Sequence, residues 1–195
     1  MNEIKHRDIF LTEDECFVIS NIVLNNEEQI KGMGPDYYNG TPDNSLTGRY
    51  YLFNYLNVPE INVILKPKLQ NLFDKLNLAS GIYIQCWANT FRKDEGINKH
   101  QHGEWKFLCS NLFIDGPEDI GTYYFINKKW TKYKSTPGEF TMFYSQLAHY
   151  VPKNKTNDIR MSMAMDMYPS GEWKAKDAWK DIECNEQRYM ILNEI

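Results

Sequence analysis

The segment RMSMAMDM, residues 160–167, alternates strictly between methionine and another residue. Successive side chains of a β-strand point to opposite faces, so the segment predicts a strand with one apolar methionine face. The opposite face carries Arg160, Ser162, Ala164 and Asp166. That face either points to solvent or lines the interior of a barrel. In an interior, Arg160 and the Ser162 hydroxyl could hold a carboxylate, because a buried guanidinium needs an anionic partner.

Four more segments after residue 80 have the composition of short β-strands. Aromatic residues make up 14% of the chain, which suits strands and pocket walls better than a helical bundle. Turn-forming residues separate the segments, so residues 81–168 are predicted to form a β-sandwich or small barrel. The segments are IYIQCWANTF (82–91), FLCSNLFI (107–114), TYYFI (122–126) and EFTMFY (139–144).

The N-terminal part of the chain shows helical patterns instead. Thr12 and Glu15 have the spacing of a capping box, and the apolar residues that follow predict a helix to about Asn26. A second helical pattern covers about residues 58–76 and contains Pro67, so we expect it to be kinked or split there. The fold class is therefore α+β, mainly β, with N-terminal helices.

We treat residues 1–195 as a single domain with three parts. Residues 1–80 hold the helices and an aromatic loop at about 37–55, which is rich in tyrosine and turn signals. The strand segments occupy 81–168. Residues 169–195 form a C-terminal extension that we expect to pack on the outside of the domain.

Composition and charge limit the classes of partner. The formal net charge of −4 argues against nonspecific nucleic-acid binding, which depends on neutralising phosphates. The basic, aromatic-interleaved segment 127–134 could hold single-stranded nucleic acid or an acidic peptide, but a solvated hairpin tip is favoured. The four cysteines form no C-x-x-C pair and indicate reduced thiols. Without a secretory signal pattern or a membrane-spanning apolar run, we expect a cytoplasmic protein.

The histidines are the candidate metal ligands. His6 stands near a terminus that we expect to be mobile, and the others are His100, His102 and His149. On a strand, His100, His102 and Glu104 project to the same side. A distant third ligand would complete a facial set like the two-histidine, one-carboxylate triad that holds non-haem Fe(II). The alternative is that the H-x-H pair decorates an exposed strand or turn.

Residues 83–168 resemble the 2-oxoglutarate/Fe(II) oxygenase superfamily, in particular small uncharacterised oxygenases of bacteria and phages. The family pattern runs W-x-N, H-x-H or H-x-D, a strand beginning with Ser, a P/E-G-x-x-x-x-F-x-S-x-x-x-H-x-V motif, and R-x-S. The matching residues, in this order, are Trp87, Asn89, His100, His102, Ser110, Pro137, Gly138, Phe143, Ser145, His149, Val151, Arg160 and Ser162.

The resemblance implies a double-stranded β-helix, a jelly-roll or cupin-like barrel, that binds Fe(II) and 2-oxoglutarate. In the family reaction, 2-oxoglutarate and O2 give succinate and CO2 while a substrate is oxidised. The resemblance assigns the C5 carboxylate of 2-oxoglutarate to Arg160 and Ser162, with Trp87 and Asn89 lining the same pocket. We expect a peptide or small molecule, rather than nucleic acid, as the primary substrate.

The metal ligands that the resemblance implies depend on the alignment register. His102 and His149 are ligands in both registers. Alignment from the W-x-N motif makes His100 the third ligand and gives a three-histidine set. Alignment backward from Ser110 makes it Glu104, which restores a carboxylate. The first register needs no gap and favours His100, and Glu104 stays the alternative.

Two other functions use the same residues. In a cupin-like metalloprotein the histidines would hold a metal without 2-oxoglutarate, and Arg160 would have no co-substrate to bind. In a non-catalytic interaction module the fold would remain while iron is bound weakly or not at all. Fold resemblance alone does not separate these functions, because function depends on the site.

Overall fold

The computed structural model describes residues 3–32, 54–78, 82–102, 108–169 and 190–192, and its main feature is a pair of antiparallel β-sheets. The strands are β1 (Ile4–Ile9), β2 (Ile82–Phe91), β3 (Ile97–His100), β4 (Leu108–Asp115), β5 (Thr122–Ile126), β6 (Lys129–Tyr133), β7 (Glu139–Tyr144), β8 (His149–Val151), β9 (Arg160–Pro169) and β10 (Met190–Leu192). Within these residues the large sheet has the order β1-β7-β4-β9-β2-β10 and the small sheet has the order β3-β8-β5-β6.

Helices α1 (Glu13–Lys31) and α2 (Pro59–Lys75) lie between β1 and β2 in sequence. The predicted capping box of α1 is confirmed: the Glu15 N–H donates to the Thr12 hydroxyl, and the Thr12 N–H donates to the Glu15 carboxylate. α2 passes through Pro67 as one helix, so of the two predicted outcomes, a kink or a split, the split is wrong. The carbonyl that proline leaves without a partner belongs to Val63, which is 74% exposed, so water can bind it.

The methionine face of β9 packs under the helices. Its four methionines are at most 1% exposed and belong to one apolar core with Leu65 and Phe73 of α2. The opposite face of β9 points towards the small sheet, where Arg160 donates to the carbonyl of Ile120 and to the hydroxyl of Thr122. Of the two placements that the alternation allows, the structure therefore has the interior one.

The basic segment between β5 and β6 is a hairpin. Asn127 and Lys128 have φ of 52° and 62°, as in the two-residue turns that match the twist of antiparallel strands. Trp130 packs against Phe125 and Tyr150, with ring centroids 5.2 and 4.9 Å apart. Its ring thus contributes to cross-strand packing on the small sheet, as expected for a hairpin rather than a binding loop.

The large sheet extends beyond residues 81–168 at both ends. β1 pairs with β7, so the region of His6, which we expected to be mobile, is an edge strand. β10 pairs with β2 and adds an edge strand from the C-terminal extension. α1 continues to Lys31 rather than ending near Asn26. The predicted aromatic loop and most of the C-terminal extension lie outside the described residues.

None of the described cysteines forms a disulfide bond, as the spacing indicated. Cys16, Cys86 and Cys109 are buried and unpaired with one another. Burial raises the pKa of the Cys16 thiol to about 11 and also raises the pKa of Cys86, so both thiols are neutral. Neither described helix is long and apolar enough to cross a membrane.

An ion-pair network joins α1 to β2. Glu27, which is 4% exposed, accepts bidentate hydrogen bonds from Arg92 at 2.7 and 2.8 Å, and Lys31 lies 3.1 Å from the same carboxylate. Burial by itself would raise the pKa of Glu27, but the bonds from Arg92 and Lys31 outweigh it and lower the pKa below 4.5. The carboxylate is therefore ionised at neutral pH and holds the helix to the strand.

Replacement of Glu27 tests this network. We expect Glu27→Gln to lower the free energy of unfolding by about 1–3 kcal/mol, because a buried charged acceptor is lost. Since the folded-state pKa is depressed, the contribution is present above pH 4.5 and declines as the pH falls through the folded-state value. Urea unfolding of both proteins at several pH values measures it. Glu28→Gln, on the exposed side of the same turn, is the control. An equal loss in both variants would contradict the assignment.

Candidate active site

Three histidine side chains meet between the two sheets. His100 ends β3 and lies directly opposite His149, the first residue of β8. His102 follows two residues after His100, and its N–H donates to the carbonyl of Ser145 at 2.9 Å. The candidate ligand atoms of the three histidines lie within 4.8 Å of one another. The structure thus brings together three of the four metal ligands that the sequence proposed.

Backbone carbonyls set the orientation of two of the imidazole rings. Nδ1 of His100 lies 2.9 Å from the carbonyl oxygen of Asn98, and Nδ1 of His149 lies 2.8 Å from that of Leu147. A carbonyl oxygen only accepts hydrogen bonds, so Nδ1 carries the proton and Nε2 keeps its lone pair. Metal-binding histidines in proteins are fixed in this way, with the second ring nitrogen donating to a carbonyl or carboxylate.

The environment of His149 keeps its imidazole neutral. Burial, followed by the proximity of His100 and His102, holds the pKa of His149 well below its usual value of 6.5. Aromatic rings enclose it: the ring centroid of Phe143 lies 4.8 Å away and that of Tyr124 lies 5.9 Å away. Neutral imidazole is the form that binds a metal, so His149 can act as a ligand at neutral pH without first losing a proton.

A buried carboxylate stands behind His102. Oδ1 of Asp166, a fully buried residue of β9, lies 3.2 Å from Nδ1 of His102 and accepts a hydrogen bond from the Cys109 thiol at 3.1 Å. These three residues form a second group of candidate metal-ligating atoms within 4.8 Å of one another. The alternation of β9 put Asp166 on the same face as Arg160, towards either solvent or an interior, and gave it no role. Its position beside Cys109 follows from the pairing of β4 with β9.

Arg160 is fully buried and forms no ion pair with any residue that the structure describes. Its Nε donates to the carbonyl of Ile120 at 2.9 Å, and its terminal nitrogens lie 3.4 Å from the Ser162 hydroxyl and 3.3 Å from the Thr122 hydroxyl. Burial lowers the pKa of Arg160 to about 10, which still leaves it charged at neutral pH. The guanidinium is therefore a buried cation whose described partners are all neutral.

Thr122, a hydrogen-bond partner of Arg160, also lines a small cleft that contains several hydroxyl groups together with Lys134 and Glu139. Thr122, Tyr124 and Thr141 contribute to it from β5 and β7. Burial raises the pKa of Tyr124, so its hydroxyl stays protonated and can donate a hydrogen bond. Sequence reasoning did not single out these residues. The alternation on β5, which puts Thr122 and Tyr124 on one face, was the available signal.

The remaining predicted site residues divide into two groups. Trp87 and Asn89 lie on β2, where they pair with Ala164 and Ser162 of β9, and both are buried. They belong to the inner face of the large sheet, because Ala88 between them belongs to the apolar core on the helix side. Glu104 lies outside the described residues, and its role as the alternative third ligand stays a prediction.

No protein-family model and no curated protein matches the chain in sequence. Solved structures do match. A prolyl hydroxylase from Trichoplax adhaerens, in complex with a hypoxia-inducible-factor peptide fragment, has a TM-score of 0.67 at 11% identity and covers 91% of this chain and 88% of its own. The nickel complex of the non-haem monooxygenase ThoJ has a TM-score of 0.64 at 11% identity, with coverages of 86% and 74%.

A third match is a viral collagen prolyl hydroxylase from Paramecium Bursaria Chlorella virus-1, solved with 2-oxoglutarate. Its TM-score is 0.55 at 14% identity, and the alignment covers 84% of this chain and 94% of the viral protein. The sequence resemblance to the 2-oxoglutarate/Fe(II) oxygenases is therefore confirmed at the level of the fold. All three alignments extend well beyond the 83–168 segment that carries the sequence motifs.

Single alanine substitutions test which histidines bind metal. We expect His100→Ala, His102→Ala and His149→Ala each to weaken Ni(II) binding by more than the roughly 10–100-fold that loss of a supporting residue costs. Calorimetric titration of Ni(II) into each variant measures this. His6→Ala is the control, since His6 lies on β1. Retention of tight binding by His100→Ala, together with its loss in Glu104→Ala, would move the third ligand to Glu104.

Proposed function

We propose that this chain, which shares the fold of the 2-oxoglutarate/Fe(II) oxygenases, is itself a non-haem Fe(II)- and 2-oxoglutarate-dependent oxygenase. The two sheets would then form the double-stranded β-helix of that superfamily. One observation carries the proposal: the space between the sheets holds both a cluster of three histidines and Arg160, a buried cation with no anionic partner among the described residues. A metal with a dicarboxylate co-substrate would satisfy both.

The donor set fits Fe(II). The described cluster offers imidazole nitrogens, which suit iron among other divalent metals. His100 and His149 are held by backbone carbonyls with Nε2 available, and His102 is held by its backbone bond to Ser145 and by Asp166. When bound, Fe(II) and 2-oxoglutarate supply the activation of O2 that couples formation of succinate and CO2 to oxidation of a substrate. The chain's own contribution is to fix the ligands and to exclude water from the space around them.

The pocket around Arg160 fits a carboxylate. The guanidinium can form charge-assisted, bidentate bonds with a carboxylate. Ser162 and Thr122 already lie within 3.4 Å of its terminal nitrogens, and the Tyr124 hydroxyl is a further donor at the same cleft. In the proposed complex these groups orient the distal carboxylate of 2-oxoglutarate and leave its keto acid end to the metal.

The substrate class is proposed to be a peptide or a small molecule. Two of the matched structures are prolyl hydroxylases, one of them solved with a peptide fragment. The basic hairpin packs its tryptophan into the small sheet, which favours these substrates over nucleic acid. On β2, Tyr83 and Gln85 continue the inner face of Trp87 and are candidates to line the substrate side of the site. A cytoplasmic location stays a prediction.

Arg160 also separates the proposal from its alternatives. A cupin-like metalloprotein that binds its substrate directly would use the same histidines but leave Arg160 without a function. In a non-catalytic module, ligand binding would give no reason to keep either a buried cation or a set of oriented imidazoles. Burial of an unpaired charge costs several kcal/mol, so an anionic ligand accounts for Arg160 better than either alternative.

The first test is the affinity of Arg160 variants for 2-oxoglutarate. We expect Arg160→Ala to weaken 2-oxoglutarate binding to the Ni(II)-loaded protein by roughly 2–5 kcal/mol while Ni(II) affinity stays near native. Ser162→Ala should cost about 1 kcal/mol, as expected for one neutral donor. Arg92→Ala, which removes an arginine paired with Glu27 on the helix side, is the matched control. Unchanged 2-oxoglutarate affinity in Arg160→Ala would favour the cupin-like alternative.

The second test is turnover. Native protein with Fe(II), 2-oxoglutarate and O2 should release succinate, and release should fall in Arg160→Ala and in His149→Ala. Peptide and small-molecule libraries should then raise the rate of succinate release when they contain the substrate. If the native protein binds Fe(II) and 2-oxoglutarate but releases no succinate under any of these conditions, it is a binding module rather than an enzyme.

A further inference from the structure

The three described histidines leave a charge missing from the proposed metal centre. In the facial triad of non-haem Fe(II) oxygenases, one of the three ligands is a carboxylate and carries a negative charge. His100, His102 and His149 are all neutral ligands when bound to a metal. A centre built on these three imidazoles therefore carries one more positive charge than the triad does.

We infer that Asp166 supplies this missing negative charge from behind His102, as a positioning residue of the metal centre. The inference rests on the proposed function. Oδ1 of Asp166 lies 3.2 Å from Nδ1 of His102, the ring atom that a metal bound at Nε2 leaves free. Asp166 is fully buried and also accepts a hydrogen bond from the Cys109 thiol. A carboxylate that accepts from a ligating histidine fixes the ring and raises the basicity of the ligating nitrogen.

The charges of the whole site support this role. Asp166 and Arg160 lie on the same inner face of β9, and both are fully buried. A divalent metal and the dianion of 2-oxoglutarate cancel each other. Arg160 then adds one positive charge and Asp166 one negative charge, so the described part of the loaded site is neutral. Without Asp166 it would hold a net buried positive charge, which is costly in a water-excluded space.

The pairing of the strands explains why a carboxylate at this position can substitute for one in the ligand set. β9 is hydrogen-bonded to both β2 and β4, and Asp166 lies opposite Gln85 on one side and Cys109 on the other. A residue in the middle of a sheet is held more rigidly than a residue after a strand end. Asp166 therefore fixes the ring of His102, which lies beyond the end of β3.

The main experiment compares Asp166→Asn with the native protein by titration of Ni(II) and of Co(II). We expect Asp166→Asn to lower the affinity for both metals by roughly 10–100-fold. Asp166→Glu keeps the charge and should retain most of the native affinity. Cys109→Ala removes the thiol that donates to Asp166 without changing the charge, so metal affinity should stay within about threefold of native. Thermal unfolding of each variant confirms that it is folded. Equal affinities in Asp166→Asn and native protein would overturn the inference.

Two further readouts separate charge supply from other roles. The visible spectrum of the Co(II) form should keep its band positions in Asp166→Asn, because the coordinating atoms do not change; a changed coordination spectrum would make Asp166 a direct ligand and overturn the inference. The affinity of metal-saturated Asp166→Asn for 2-oxoglutarate should be equal to native or tighter, since the site has become more positive. General structural damage to the site would weaken the binding of both the metal and 2-oxoglutarate, and that result also contradicts the inference.

A second genetic background makes the test specific to His102. His102→Asp places a carboxylate in the ligand set, so the charge of Asp166 becomes redundant there. We expect Asp166→Asn to cost at most a few-fold in metal affinity in that background, against roughly 10–100-fold in the native one. An equal loss in both backgrounds overturns the role through His102. Failure of the native protein to bind Ni(II) at all contradicts the proposed function itself, which is a separate outcome.

Discussion

The guanidinium of Arg160 is enclosed between the two sheets with only neutral partners among the described residues. A buried charge of this kind is tolerated when its hydrogen bonds are satisfied and when a bound anion can complete them. The backbone carbonyl of Ile120 and the hydroxyls of Ser162 and Thr122 accept hydrogen bonds from some of the guanidinium N–H groups. The two terminal nitrogens of Arg160 can also bond a carboxylate, so this one burial determines what the interior can bind.

Strand β9 links this interior to the stability of the fold. Its methionine face anchors the helices, and its inner face carries Arg160, Ser162 and Asp166. A shift of the pairing register by one residue would move the methionines into the site and the charges under the helices. Burial of those charges in the apolar core would be strongly unfavourable. The hydrophobic packing that stabilises the protein therefore also fixes the functional side chains. Substitutions of the methionines should disturb the site as well as the core.

Some of this organisation was predictable from the sequence. The alternation of residues 160–167, the capping box at Thr12 and the ordered histidine and arginine motifs each have a local signal. β1 has no such signal: IKHRDI lacks an apolar alternation, and its strand conformation depends on pairing with β7, far away in sequence. Asp166 likewise looked like one more residue of a polar face. Only the register of β4 against β9 brings it beside Cys109, close to His102.

The most direct test of the account is the affinity of the native protein for 2-oxoglutarate with and without Ni(II), measured by calorimetry. If the histidine cluster and Arg160 hold the two ends of one metal–dicarboxylate unit, metal should tighten 2-oxoglutarate binding by roughly 5–150-fold, and 2-oxoglutarate should tighten metal binding by the same factor. The same affinity for 2-oxoglutarate with and without metal would contradict the account, because the two groups would then act independently.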